Sequence, residues 1–324
     1  MKKILVTGAT GFIGNPLCKA LIKSGRSVYG AVRSISSSLI KSEVEYISVG
    51  DISLKTNWKD ILAGIDCVIH CAGRAHNMNK NQDFDLYNPI NKEGTRNLAE
   101  QAAEAGVKRF IFLSSIKVNG ESTNNEFEKI NSNSQIKNIF THTDIPNPMD
   151  PYSISKFEAE SALWKISAKT NLDIIVVRLP LVYGKNVKGN LDRLIKIIKL
   201  GIPLPLGKIQ NQRSLIGIDN LVDFVIHCIE HPNAPGKTFL ISDDEDLSTS
   251  DLIKLISLSM GRNTYLFPAP IYLLKIIAKI FRKQTDYDRL IGSLKIDNSY
   301  AKKILGWKPR VNTKEGMKRI FEDS

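Results

Sequence analysis

Six short apolar runs rich in β-branched residues punctuate the first 180 residues, and stretches of helical periodicity separate most of them. "KILVTG" (3–8), "SVYGAVR" (27–33), "VEYISVGD" (44–51), "DCVIHCAG" (66–73), "KRFIFLSS" (108–115) and "LDIIVVRLP" (172–180) read as strands. "FIGNPLCKALIKSG" reads as a helix, with Pro16 in its first turn and Gly25 at its end. "NKEGTRNLAEQAAEAG" and "SKFEAESALWKISAKT" carry the same periodicity. The alternation predicts right-handed crossovers and an α/β fold, a doubly wound parallel sheet covered on both faces. Two regions break the rhythm. Residues 121–140 are polar and Asn/Ser-rich and read as a long surface loop or lid. Beyond Pro180 the helices shorten and joins such as "GIPLPLG" appear. The expected organisation is a nucleotide-binding and catalytic domain over 1–180. Residues 181–324 then form mainly a smaller substrate-binding lobe, with some segments returning to the first domain.

The first strand runs into "TGATGFIG" (7–14) and then a helix, the context of a Rossmann dinucleotide site. Gly8, Gly11 and Gly14 allow a tight turn and close backbone approach to a pyrophosphate resting on the helix N-terminus. Where an acidic residue would hold the 2′-hydroxyl of NAD, the second strand ends in Arg33, which suits the 2′-phosphate of NADP. NADPH is therefore the favoured cofactor, with NAD the alternative. Asp51 and Ile52, after the third strand, fall where adenine would lie.

Chemistry points to "PYSISK" (151–156). Tyr152 and Lys156 stand four apart and share a helix face, so an ammonium beside the phenol favours a general acid/base near neutral pH. The preceding strand ends in Ser114 and Ser115, whose hydroxyls suit a substrate oxygen.

Together with "GDIS", "VIHCAG", "NKEGTRNL", "RLPLVYGKNVKGN", "NQRSLIGIDNL" and "ILGWKP", these motifs resemble the extended short-chain dehydrogenase/reductase family in its nucleotide-sugar epimerase, dehydratase and reductase branch, over almost the whole chain. The resemblance implies that Ser115, Tyr152 and Lys156 are catalytic, with hydride passing between sugar C4 and the nicotinamide. It implies that Phe12, Ile13, Cys71, Ala72, Gly73 and Lys156 join the glycines at the cofactor. It also implies a nucleoside-diphosphate sugar site containing Asn190 and Arg213, with Arg289 as a second clamp. A homodimer through the helices around 92–105 and 155–169 is a further expectation from resemblance. The chain departs from the pattern near the sugar: "VNG" replaces the common "VYG", bringing Asn119 and, before it, Lys117, a candidate substrate contact. Ile116 and Lys117 stand where dehydratases carry adjacent Asp and Glu, which argues against dehydration.

The favoured activity is reduction of a UDP-4-keto-6-deoxy-N-acetylhexosamine at C4, in the supply of surface polysaccharide such as O-antigen. The alternative is a UDP-hexose 4-epimerase acting on UDP-glucose or UDP-N-acetylglucosamine. A non-catalytic NADP-sensing regulator is a third reading, though it would be expected to lack Tyr152 or Lys156.

Composition changes this picture little. The formal net charge is +12, but the 45 Lys and Arg are scattered, without the stripe or aromatic platform of a nucleic-acid binder. Cys18, Cys67, Cys71 and Cys228 fall mostly in apolar stretches and predict reduced thiols in a cytoplasmic protein, with no metal site. No signal peptide or membrane-spanning run is expected. "PIYLLKIIAKIFRK" (270–283) is an amphipathic segment that either packs on its own domain or lies on an anionic bilayer.

Overall fold

A computed structural model of the chain describes residues 2–39, 42–74, 86–123 and 138–322. Most of the 121–140 loop lies outside the described residues. The first part of the chain forms β1 (Lys3–Thr7), α1 (Gly14–Lys23), β2 (Ser27–Val32), β3 (Glu45–Ser48), α2 (Lys59–Leu62), β4 (Cys67–His70), α3 (Thr95–Glu104), β5 (Arg109–Ser115), α4 (Pro151–Ser167) and β6 (Asp173–Leu179). The remainder forms β7 (Leu181–Tyr183), α5 (Asn190–Lys199), β8 (Arg213–Gly217), α6 (Ile218–Glu230), β9 (Lys237–Leu240), β10 (Asp246–Leu247), α7 (Thr249–Ser259), α8 (Ile271–Ile280), α9 (Gln284–Ile291), α10 (Ser299–Leu305) and α11 (Thr313–Lys318).

Seven strands pair in the order β3-β2-β1-β4-β5-β6-β9, every pair parallel. The doubly wound sheet expected from the alternation is present. The order of winding reverses between β1 and β4, so the crevice at their carboxyl ends is where a ligand would sit. The seventh strand was not read from the sequence: "KTFL" is only four residues long and half-buried at its start. It returns from the C-terminal part to close the β6 edge.

Strands buried on both faces divide the core in two. Ile4, Val6, Ile69, Ile111 and Val177 point toward a cluster with Leu17, Leu21, Phe224 and Trp307. Leu5, Val68, Phe110, Phe112 and Val176 meet Trp58, Leu98, Ala102 and Leu163 on the other side. A third cluster, with Leu191, Ile195, Leu215, Ile253 and Met317, belongs to a lobe built on the small sheet β10-β8-β7. "NKEG" does not form the expected regular helix start; Asn88–Gly94 makes a π-helical turn before α3. That turn aims Asn91 inward, where it does structural work described below.

Candidate active site

The loop after β1 requires its glycines. Gly8 is left-handed at φ +65°, and a Cβ on it would lie 3.0 Å from the Ala72 backbone. A Cβ on Gly14 would lie 2.1 Å from the Gly8 carbonyl oxygen. The Gly11 amide donates to that same oxygen at 2.9 Å. No side chain caps α1, so the positive end of its dipole faces the loop, while the Asn15 and Leu17 amides close onto the Gly11 and Ile13 carbonyls at 3.0 and 3.2 Å. These observations fit the pyrophosphate of a dinucleotide. Phe12 and Ile13 are half-buried; Ile13 packs on the core beneath α1, and the Phe12 ring faces Gly184.

A buried chain of hydrogen bonds ties the crevice floor together. The Thr95 hydroxyl donates to the Asn91 carbonyl at 2.7 Å, so it accepts from His70 Nε2 at 2.9 Å. His70 Nδ1 then accepts from the Thr7 hydroxyl at 2.6 Å, and Thr7 accepts from the Ala72 amide at 3.2 Å. Each hydroxyl proton is used once, which fixes the neutral Nε2–H tautomer. Burial, with the Lys156 charge adding to it, pushes His70 down to about 3. This site contributes its full stability above about pH 6.5, the ordinary histidine value, and loses it as pH falls toward 3. By pH 4 the wild type is expected to lose on the order of 3 kcal/mol more than His70→Gln, which does not titrate. Urea unfolding of both proteins at pH 7 and pH 4 measures this; parallel losses would contradict it. A polar residue ending a fully apolar strand is a usable sequence signal for His70, whereas no local pattern marks Asn91.

Beyond β4, Asn91 accepts from the Arg74 amide at 2.7 Å and donates to the Arg74 carbonyl at 3.1 Å and to Ser155 Oγ at 3.0 Å. It thereby pins the Cys71–Ala72–Gly73 segment to α4. A Cβ on Gly73 would lie 3.2 Å from Lys156 Nζ, so this glycine lets the backbone pass close over the lysine. Ile52 is buried against Gly94 and packs the start of α3.

At the outer edge, Arg33 Nε meets Asp51 Oδ1 at 3.0 Å, with both side chains at least three-quarters exposed. Two residues assigned separate roles from the sequence thus form one ion pair, and the Arg33 charge is balanced by a carboxylate.

Ser115 ends β5, and Tyr152 sits in the first turn of α4. The entry into α4 is fixed by a reciprocal capping box: Asp150 Oδ1 accepts from the Ser153 amide at 2.7 Å, and Ser153 Oγ accepts from the Asp150 amide at 3.0 Å. Ser114 turns inward, donating to Glu160 at 2.5 Å; Glu160 grips Arg178 at 2.6 Å, and Arg178 donates to Asn119 at 2.8 Å. Alternation along the strand then presents Ser115 to Tyr152, whose phenol is hydrogen-bonded to it. Asn119, the departure from the family pattern, is a buried structural residue that also donates to the Thr141 carbonyl at 3.0 Å.

The expected electrostatics differ in one respect. Burial pushes Tyr152 up to about 12; the Ser115 hydrogen bond opposes this, while Asp150 and the edge-on Tyr87 ring add to it. Lys156 is buried, donates to the Leu113 carbonyl at 2.9 Å and lies over the Phe112 ring at 4.5 Å. Burial pushes it down to about 8, with Glu160 and Cys71 opposing. The ammonium is thus engaged by the β5 backbone, and the phenol is neutral at pH 7.

Lys117, expected at the substrate, is held by Asp150 at 2.7 Å and Glu121 at 2.8 Å. Because Asp150 caps α4, this places Lys117 as a brace for the helix that carries Tyr152. In the lobe, Arg213 is not an ordinary surface ion pair. Its Nη1 donates to the carbonyls of Arg289 at 2.6 Å and Gly292 at 3.0 Å. Burial holds it below the ordinary arginine range, Arg289 pushes the same way and Glu121 opposes. The structure therefore brings Arg213 and Arg289 together, while Asn190 opens α5 on the exposed surface.

Residues 4–242 match the model of the NAD-dependent epimerase/dehydratase family. The chain belongs to that family. It is an enzyme of this class, and its glycine cradle fits the family's cofactor. A UDP-glucose 4-epimerase of Vibrio cholerae is 41% identical over 99% of this chain and 95% of its own length. Among solved structures, the UDP-glucuronic acid 4-epimerase of Bacillus cereus, in complex with NAD, superposes with a TM-score of 0.77 at 24% identity, covering 98% of this chain and 97% of its own. The UDP-N-acetylglucosamine 4-epimerase of the same organism gives a TM-score of 0.77 at 21% identity, covering 99% and 98%. At these identities the structural likeness shows the fold.

Proposed function

We propose that this enzyme is a UDP-hexose 4-epimerase using bound NAD. The observation that carries this reading is the 41% identity to the V. cholerae UDP-glucose 4-epimerase across nearly the full length of both chains. The arrangement of Ser115, Tyr152 and Lys156 supports it. Gly8, Gly11, Gly14, Gly73 and Lys156 would hold NAD, which when bound would supply the acceptor and donor of hydride at sugar C4. The Ser115 hydroxyl orients the C4 oxygen. In its phenolate form, which the positive charge of a bound oxidised nicotinamide would favour against the burial that raises it, Tyr152 Oη would take the C4 hydroxyl proton during oxidation and return it on the other face of the sugar, so the chain ends each cycle unchanged. Arg213 and Arg289, carried by the lobe, are the proposed contacts to the diphosphate.

A second reading, the NADPH-dependent 4-ketoreductase expected from the sequence, is favoured by Arg33 and by a phenol held neutral, which is ready to protonate a ketone oxygen. The Asp51 carboxylate on Arg33 weighs against a 2′-phosphate there. Freeing the arginine with Asp51→Asn is therefore expected to raise the preference for NADP over NAD on the order of tenfold, read from the two dissociation constants. An unchanged ratio would remove Arg33 from the ribose site. For the function itself, UDP-glucose and catalytic NAD should yield UDP-galactose with no accumulation of NADH. Failure with both UDP-glucose and UDP-N-acetylglucosamine, alongside stoichiometric NADPH consumption on a UDP-4-keto-6-deoxy sugar, would establish the reductase.

A homodimer on the outward face of α3 and α4, which lie side by side, is part of the same proposal and is read from the mass in solution.

A further inference from the structure

Helix α8 has the residues of a core helix and almost none of the burial. Within Ile271–Ile280 only Ala278 is buried, and Leu274, four positions earlier on the same face, packs on the lobe core. Ile271, Tyr272, Leu273, Ile276, Ile277, Ile280 and Phe281 are between 42% and 70% exposed. So continuous an apolar surface is unusual on a soluble monomer and marks an interaction face. Tyr265, also exposed, precedes it.

The charges around the helix say what covers it. From 252 to 285 the sequence contains no Asp or Glu and six cations: Lys254, Arg262, Lys275, Lys279, Arg282 and Lys283. Lys254 and Lys283 pair with Asp251 and Asp286 at the two ends of this segment, at 3.4 and 3.9 Å, so a second copy docking through the same face would still set Lys275, Lys279 and Arg282 against their own equivalents. An apolar surface rimmed with negative charge is complementary instead. No helix among the described residues is long and apolar enough to cross a membrane, and α8 itself is about 15 Å long.

We propose that α8 lies in the interface of a bilayer containing anionic lipid, its isoleucines and aromatic rings among the upper acyl chains and its lysines and arginine at the headgroups. The stripe Leu274/Ala278 seats the helix on the lobe. α9 packs on α8 and ends in the carbonyls that Arg213 and Asn211 hold: Arg213 bonds Arg289 and Gly292, and Asn211 donates to Leu290 at 3.2 Å and to Gly292 at 2.9 Å. Docking therefore sets the proposed diphosphate side of the site beside the membrane. The inference stands on the surface alone and does not depend on which sugar is turned over.

Co-sedimentation of the full chain with phosphatidylcholine vesicles, with and without about 30% phosphatidylglycerol, tests it. The expected result is binding to the acidic vesicles, weak binding to neutral ones, and partial loss at high salt. Ile276→Asp with Ile280→Asp, and separately Lys279→Glu with Arg282→Glu, alter only exposed side chains, and each is expected to weaken binding at least tenfold with an unchanged circular dichroism spectrum. Absence of binding to acidic vesicles overturns the proposal. Binding that survives Ile276→Asp with Ile280→Asp also overturns it, because net charge alone would then explain adsorption. So does a wild-type dimer in solution that these isoleucine substitutions dissociate, since a second copy would then be what covers α8.

Discussion

Tyr152→Phe is expected to lower kcat by 10²–10⁴-fold while leaving the dissociation constant for NAD within about twofold, because it removes one proton-transferring oxygen and no packing volume. The ring stays edge-on to Tyr87 with centroids 6.2 Å apart. What is lost is the hydroxyl bonded to Ser115, which we propose moves the proton to or from the sugar oxygen. Steady-state turnover and a fluorescence titration with cofactor separate the two effects. Retained turnover would remove Tyr152 from the chemistry; a parallel loss of cofactor affinity would make it a binding residue. The same phenol sets a pH expectation. With Tyr152 at about 12 and Lys156 at about 8, raising pH deprotonates the lysine first, so the first alkaline change in kcat belongs to Lys156.

The largest stability effect is expected at Glu160. Its carboxylate is 2% exposed, accepts from Ser114 and holds Arg178 through three hydrogen bonds. Glu160→Ala leaves a buried guanidinium with only Asn119, and the cost is expected to be about 3–5 kcal/mol. Glu160→Gln keeps an acceptor for Ser114 and Arg178 and should lose clearly less. Urea midpoints of the three proteins give the comparison, and an alanine variant as stable as the glutamine variant would contradict it. The pair has a functional consequence as well: by turning Ser114 inward it fixes which serine of "SS" faces Tyr152.

The parts legible in the sequence were those governed by local pattern. Period and length announced six of the seven strands of the main sheet, and glycine spacing announced the turn between β1 and α1. The four-residue interval of Tyr152 and Lys156 placed both in α4. What the sequence concealed depends on contacts distant along the chain. Arg33 and Asp51 read as independent cofactor contacts until β2 and β3 brought them within 3.0 Å. Lys117 read as a free cation near the sugar, but Asp150 lies 33 positions away and takes its charge. Lys156 read as the group that acidifies Tyr152, and the structure adds a bond from its ammonium to a β5 carbonyl that no spacing rule names, which leaves two of its three N–H groups for other partners. The favoured 4-ketoreductase rested chiefly on Arg33, and it yields to the epimerase once that residue is paired and the V. cholerae relative is weighed.

The central claim is that hydride leaves C4 of a UDP-hexose and returns to C4 of the same molecule with inversion. UDP-[4-²H]glucose incubated with the enzyme and NAD, followed by mass spectrometry and proton NMR, tests it most directly. The account predicts UDP-galactose that keeps its deuterium at C4. Deuterium accumulating in free reduced cofactor, or no inversion at C4 of any UDP-hexose offered, would contradict it.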